Sequence, residues 1–324
     1  MNSPALAEVR RAVRVAMAAL PHPDAPLLVA CSGGADSVAL AAATAAEARG
    51  PVHAAVVDHD LQEGSAQQAA DTVELLAGLG ITAAVHRVEV RGPGGTEAAA
   101  RHVRYAALRT ARPDPESAVL LGHTLDDQAE TVLLGLGRGS GARSLAGMRD
   151  WDAPWLRPLL GVRRATTEAA CAELGLPVWQ DPHNVDPRFT RVRLRREVLP
   201  LLEEVLSGGV AEALARTAAQ LRDDVDALDA VTADLLDVAR DGEGLRLDVV
   251  TNHPPALRRR LLRAWLGGMG VTGLTAEHLR GADLLAGRGP DRAGVTVPGG
   301  LELVRERGRL SLRPFRRRGA RSPR

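Results

Sequence analysis

Leu27 to Ser37 read LLVACSGGADS, an apolar run that stops at a glycine turn and passes straight into a helix-forming stretch. Leu27 to Cys31 is short enough for a buried strand, and the alanine-rich pattern from Ser37 to Arg49 has a helical period. Gly33 and Gly34 let the chain turn tightly, so that successive amides face one concavity, and the helix start adds partial positive charge. Ser32 and Ser37 supply hydroxyl donors. Together Ser32, Gly33, Gly34, Ala35, Asp36 and Ser37 form an anion cradle. Asp36 would repel a bare phosphate, so its useful role is to hold a Mg²⁺ that bridges to phosphates. A glycine-serine turn also serves purely structural ends, but the SGGxDS order after an apolar strand is more specific than that.

Working outward, Val52 to Val57, Ile81 to Val90 and Ala118 to Leu121 are further apolar runs, separated by helical segments at Ser65 to Leu79 and Thr96 to Arg112. This alternation predicts an α/β fold with a doubly wound, mainly parallel sheet. Ligands in such sheets sit beyond the carboxyl ends of the strands, where the unusual residues of this sequence also fall. A helix over Ala5 to Leu20 precedes the sheet; a helix over Thr166 to Leu174 and a short strand near Val178 follow it. Beyond Pro200 the character changes. Glu203 to Glu243 holds 11 acidic residues against 3 arginines on a pattern of one or two amphipathic helices. Helices near Leu257 to Leu266 and Ala276 to Ala286 come next, and GVTVPGGLELVRERGRLSLRP reads as a hairpin. The expected organisation is an α/β domain over 1–204, a smaller, mostly helical domain over 205–313 ending in the hairpin, and a basic tail over 314–324, expected to be disordered.

The 324 residues are 45% hydrophobic and carry a formal net charge of +1, but all 41 basic residues are arginine and none is lysine. A compositional bias is the simplest reading. Even so, a Schiff-base lysine and a Walker-type phosphate-loop lysine are excluded. Cys31 and Cys171 form neither a CxxC pair, nor a four-cysteine zinc site, nor a disulfide framework. The N-terminus lacks the apolar core of a signal peptide, and no run of about 18 apolar residues occurs, so a cytoplasmic protein without membrane attachment is expected.

Two more strand ends carry chemistry. Asp58 and His59 close the second run, suited either to contact with ribose or adenine or to a turn. The fourth run ends in GHTLDDQAET, Gly122 to Thr131, where Asp126, Asp127 and Glu130 crowd one edge of a helix. A cation is expected among them, either Mg²⁺ or an ammonium; an acidic helix start stabilised by the macrodipole is the plainer alternative. His123 beside them lacks a second ligand set for zinc. Residues 188–196 hold Arg188, Arg191, Arg193, Arg195 and Arg196 without an acid, a candidate contact for a nucleic-acid backbone or a solvated basic face. Phe189 among them suits either base stacking or a core anchor.

The SGGxDS string resembles the pyrophosphate loop (PP-loop) of the N-type ATP pyrophosphatases, which need no loop lysine. GHTLDDQAET with Gly137-Arg138-Gly139-Ser140-Gly141, Arg157-Pro158-Leu159-Leu160, Ala100 to Tyr105 and Asp181 to Asp186 narrows the resemblance to the tRNA(Ile)-lysidine synthetase family, in order from about residue 27 to 202. The PGG hairpin near Pro298 resembles the end of that family's substrate-binding domain. The resemblance implies adenylation by ATP, with Mg²⁺, of the wobble cytidine of an isoleucine tRNA with a CAU anticodon, then displacement of AMP by free L-lysine.

It further implies catalytic roles for Asp36, Arg101, Asp127 and Glu130, with Asp127 and Glu130 binding the lysine ammonium. Asp58, His59 and His123 would join the cradle in holding the nucleotide, and the five arginines would meet the tRNA. Between Arg101 and Arg104 of the same string, Arg104 is the alternative read as a structural ion-pair partner, and a homodimer is compatible with the resemblance. His183 and Val192 depart from the family's usual serine and asparagine at these positions. Longer members carry a further C-terminal domain, before which this sequence is expected to stop. A related thiolating or amidating enzyme, or a non-catalytic nucleotide- or tRNA-binding module, is the alternative. The former generally needs cysteines or an ammonia source, and the latter has no need of the acidic cluster.

Overall fold

The computed structural model describes residues 3–60, 64–89, 96–139, 141–181, 185–287 and 294–315. His183, Ser140 and nearly all of the basic tail lie outside them. The chain divides into two compact units, Met1–Ala219 and Gln220–Arg324.

The first unit opens with helix α1 (Pro4–Ala18) and then alternates: β1 (Leu27–Ala30), α2 (Ala35–Glu47), β2 (Val52–Asp58), α3 (Ser65–Gly78), β3 (Thr82–Arg87), α4 (Thr96–Thr110), β4 (Val119–Leu121) and α5 (Leu125–Arg138). A turn of helix, α6 (Ala142–Leu145), leads to the small strands β5 (Trp151–Asp152) and β6 (Trp155–Leu156), then α7 (Arg164–Glu173), α8 (Thr190–Arg193), a π-turn at Leu194–Val198 and α9 (Leu199–Val205). The strands lie in the order β3-β2-β1-β4-β6-β5, parallel except for the β5–β6 pair. Leu27 and Val29 of β1 face a core shared with α1, α2 and α7, while Leu28 faces the opposite core with Leu108, Val119 and Trp155. A strand buried on both faces must be apolar at every position, which is why the run is continuous rather than alternating.

The sheet reverses its winding between β1 and β4, so the loops that leave these two strands open side by side. They touch. A Cβ on Gly122 would lie 3.1 Å from the Asp36 carbonyl and the Ser37 amide nitrogen, so glycine is what lets the β4 loop approach the start of α2. Thr124 caps α5, and Asp127 closes the capping box by accepting from the Thr124 amide.

In the second unit, β7 (Arg240–Asp241), β8 (Gly244–Arg246), α11 (Leu247–Thr251), α12 (Pro255–Gly268), α13 (Ala276–Ala286), β9 (Val295–Val297), β10 (Leu301–Glu306) and β11 (Arg309–Pro314) build an antiparallel sheet of order β7-β8-β11-β10-β9. Leu245, Leu261, Leu262, Trp265, Leu303 and Leu310 form its core. Between α9 and this region runs the single helix α10 (Val210–Ala239).

Two local expectations are corrected, and one element was not anticipated. Val178 is not in a strand: the segment makes one backbone bond, from the Trp179 amide to the Gly33 carbonyl at 2.9 Å, and no ladder. The expected hairpin is a three-stranded meander, because glycine turns at both 299–300 and 307–308 reverse the chain. The pair β5–β6, turned by a cis Ala153–Pro154 bond, was not visible in the periodicity, being only two residues long on each side.

Candidate active site

Gly33 stands at φ +83°, where a side chain is strained, and a Cβ there would meet Gln68 Nε2 at 2.4 Å and Thr72 Oγ1 at 2.6 Å. Helix α3 therefore packs directly on the glycine turn. Gln68 Nε2 donates to the Ser32 carbonyl at 3.0 Å, and the Trp179 amide takes the Gly33 carbonyl, so both outward carbonyls of the turn are tied back. The Ser37 hydroxyl donates to the Gly34 carbonyl at 2.9 Å and accepts from the Ser32 amide at 3.1 Å, closing the cradle on itself. This leaves the start of α2 facing a cleft of about 860 Å³, within the range of small-molecule sites.

Ser32, Gly34, Ala35, Asp36 and Ser37 line that cleft, as do Asp58, His59, His123 and Asp127. The sequence-predicted residues of three strand ends thus share one space. Glu130 sits one turn further along α5, fully buried. Arg195 links it to the cleft, donating from Nε to Glu130 Oε1 at 2.7 Å and approaching Asp127 Oδ1 at 3.5 Å.

Where Mg²⁺ or an ammonium was expected among the acids, the protein places its own guanidiniums, Arg164 and Arg195. Arg164, at the start of α7, reaches Asp36 Oδ2 at 3.0 Å through Nη1 and Asp127 Oδ1 at 2.9 Å through Nη2. Its amide donates to Asp126 Oδ2, which turns Asp126 away from the cleft to serve the helix start of α7. Burial pushes the Asp36 carboxyl up to about 6, against the pull of Arg164 and of the hydrogen bond from Thr167. Burial raises Asp127 too, but Arg164, the Thr124 amide, His123 and Arg195 outweigh it and hold that carboxyl low. Burial above all, helped by the nearby Arg104, Arg157 and Arg101, drives His123 down to about 3 despite Asp127, so its ring is neutral. His59 is lowered by burial and by Arg104.

Among the described residues, four buried side-chain atoms around this cleft have no hydrogen-bond partner: His59 Nδ1, His123 Nδ1, Glu130 Oε2 and Arg164 Nε. Buried polar groups are ordinarily satisfied, so such a concentration marks a place where polar groups of a ligand complete the network. The donor set also fits Mg²⁺, which takes one or two carboxylates and fills its remaining positions with water and substrate phosphates. Asp36 beside the cradle is the carboxylate that would hold it.

A family model described as a PP-loop domain matches residues 7–202, and one described as the TilS substrate binding domain matches residues 245–311. The chain is 54% identical over 318 residues to the tRNA(Ile)-lysidine synthase of Rhodococcus erythropolis, covering 96% of each chain. It is 58% identical over 276 residues to that of Mycolicibacterium paratuberculosis, covering 84% of this chain and 85% of the relative. The chain belongs to the tRNA(Ile)-lysidine synthase family. Among solved structures, the U34-tRNA thiolase NcsA from Methanococcus maripaludis with its [4Fe-4S] cluster superposes with a TM-score of 0.56 at 17% identity, over 67% of this chain and 79% of that one, a likeness of fold.

Within this lysidine synthase fold two sequence-based roles look different. Arg101 does not line the cleft; it stacks on Tyr105 at 4.7 Å and donates to its hydroxyl, whereas Arg104, read as structural, does line it. The turn of α4 that faces the sheet end is the one carrying Arg104. The arginines of 188–196 are acid-free only in sequence. Arg188 pairs with Asp186 and Arg193 with Glu197, while Arg195 and Arg191 converge on Glu130, so Arg195 points inward. Arg196 lines the cleft. Sequence reasoning missed Arg164, Thr167, Gln68 and Trp179. The only signal for Arg164 was a basic residue opening a helix, where the dipole disfavours it.

Proposed function

We propose that this member of the family ligates L-lysine to C2 of the wobble cytidine of a CAU-anticodon isoleucine tRNA, using ATP and Mg²⁺. The observation that carries the reading is that the phosphate cradle and Asp127 face the same cleft, with Asp36 and Asp127 joined through one guanidinium and Glu130 buried behind Arg195. In the first step the cytosine 2-carbonyl oxygen attacks the α-phosphorus of ATP, and the bond to pyrophosphate breaks. In the second the ε-amine of lysine, having given up a proton, attacks C2; the C2–O bond breaks and AMP leaves.

The start of α2 and the Ser32 and Ser37 hydroxyls hold the departing pyrophosphate, the electrostatic stabilisation that such transfers need. Mg²⁺, when bound, neutralises charge on the phosphates, with Asp36 as its protein ligand. Asp58 and His59, at the β2 end, hold the nucleoside side of ATP, with the neutral His123 beside them. Asp127 and Glu130 bind and orient the lysine ammonium. Arg104 and Arg195 put positive charge where phosphate and carboxylate groups enter, and Arg101 guides substrate from the rim. Arg188, Arg191, Arg193 and Arg196 attract the anticodon stem-loop backbone, whose unstacked loop bases are then read in the cleft.

No helix among the described residues is long and apolar enough to cross a membrane. A protein that uses tRNA, ATP and lysine belongs in the cytoplasm.

The test is pyrophosphate release with ATP, Mg²⁺ and the isoleucine tRNA but no lysine. The reading predicts release that needs the wobble cytidine and is abolished by Asp36→Ala; release independent of tRNA would contradict it.

A further inference from the structure

Asp36 and Asp127 leave from different strands, one after β1 and one after β4, yet a single side chain neutralises both. Arg164 Nη1 lies 3.0 Å from Asp36 Oδ2, and its Nη2 lies 2.9 Å from Asp127 Oδ1. The remaining oxygens of both carboxylates are committed elsewhere. Asp36 Oδ1 accepts from the Thr167 hydroxyl, and Asp127 Oδ2 accepts from the amide and hydroxyl of Thr124 in the α5 cap. A cation arriving at Asp36 and an ammonium arriving at Asp127 therefore compete for the two oxygens that Arg164 now occupies.

The neighbouring arginine cannot give way as readily. Arg195 is anchored through Nε to the buried Glu130 at 2.7 Å and only brushes Asp127 at 3.5 Å. Arg164 has no such anchor on its Nε, which is buried without a hydrogen-bond partner. Its guanidinium is held at two points, both of them contested by ligands, and it borders the phosphate cradle in the same cleft.

We propose that Arg164 is a positioning residue that makes amine binding conditional on nucleotide binding. In the free protein its guanidinium is the counter-ion of both carboxylates, and the amine position at Asp127 is filled. Mg²⁺ with a polyphosphate removes Asp36 as a partner and offers phosphate oxygens, with which an arginine forms strong bidentate hydrogen bonds. The guanidinium then turns to the phosphates and leaves Asp127 to the substrate ammonium. The proposal rests on the reading of Asp36 and Asp127 given above. By linkage, nucleotide tightens lysine binding by the same factor by which lysine tightens nucleotide binding, typically about 5- to 150-fold.

The test is equilibrium binding of radiolabelled L-lysine to the full chain, with and without Mg²⁺ and an ATP analogue whose α–β bridge is a methylene. Wild type should bind lysine at least about 5-fold more tightly with the analogue. Arg164→Gln should bind lysine with the same affinity in both arms. Arg164→Lys keeps the charge but cannot span both carboxylates, so its ratio should fall below that of wild type; this arm serves if the glutamine variant fails to fold. Equal lysine affinity in both wild-type arms overturns the proposal and leaves the acidic pair as the amine site. Absence of lysine binding in every arm, with tRNA added as well, overturns the reading of the pair and the proposal together.

Discussion

Arg195 donates from Nε to Glu130 Oε1 at 2.7 Å, tying the π-turn that follows α8 to a fully buried carboxylate on α5. The two residues are far apart in sequence, and neither has another partner of comparable geometry. Burial raises the Glu130 carboxyl, and the hydrogen bond from Arg195 opposes that rise.

Glu130→Gln should therefore cost stability as well as amine use. Removing one partner of a buried pair typically costs ~3–5 kcal/mol, and the partial exposure of Arg195 puts the expected loss near ~3 kcal/mol. Denaturant midpoints measure the first effect. For the second, the KM for lysine should rise at least about tenfold, while tRNA-dependent pyrophosphate release in the absence of lysine persists; one lost charge-assisted hydrogen bond is worth about that much.

The two cradle glycines should respond differently to the same substitution. Gly33→Ala adds a Cβ at φ +83° against Gln68 and Thr72 of α3, whereas around Gly34 the nearest atom is Ser32 Oγ at 3.7 Å. Gly33→Ala should lower the thermal midpoint and reduce ATP affinity, with strain of about 1–3 kcal/mol. Gly34→Ala should leave the midpoint within a degree or two, as van der Waals contact alone is added. Equal effects in differential scanning fluorimetry would refute this account of the turn.

Both cysteines should be silent toward thiol reagents in the folded protein. Burial, with Asp36 nearby, pushes the Cys171 thiol up to about 11, and burial raises Cys31 as well. The thiolate is the reactive form, so a colourimetric disulfide reagent at pH 8 should detect no thiol natively and both after denaturation. The sign of the pH dependence follows. A thiol raised on folding contributes stability that is fully present below its unfolded value near 9 and is lost as pH rises through about 11, so alanine at Cys171 should flatten the alkaline decline.

The second unit has its own buried charge. Asp283 of α13 is nearly inaccessible and accepts from Arg258 at 2.6 Å and Arg259 at 3.0 Å, both on α12. Asp283→Ala leaves two guanidiniums facing a vacated core position and should destabilise this unit by roughly 3 kcal/mol. Hydrogen exchange should show the loss in α12 and α13 while β1 and β4 stay protected.

Much of this was legible in residues 27–37 and 122–131, because a parallel strand buried on both faces writes itself as an unbroken apolar run, and the loop that lines the cleft follows directly. Asp36, His59, His123 and Asp127 were found by that rule. What the sequence hid were partners supplied from other elements. Arg164 reads as an ordinary helix start, and its contacts to both Asp36 and Asp127 arise because the winding of the sheet reverses between β1 and β4. Arg195 reads as one of five surface arginines until the π-turn points it at Glu130. Arg101 and Arg104 share one motif, and only the packing of Tyr105 against Trp155 at 4.6 Å shows which turn of α4 faces the cleft. Pair strands of two residues, such as β5 and β6, lie below any periodic signal.

The measurement closest to the central claim is incorporation of radiolabelled L-lysine into a CAU-anticodon isoleucine tRNA by the purified chain with ATP and Mg²⁺. The account predicts label in the tRNA, stoichiometric AMP, and loss of both when the wobble cytidine is replaced by uridine. Incorporation that is indifferent to that replacement, or that proceeds without ATP, would contradict it.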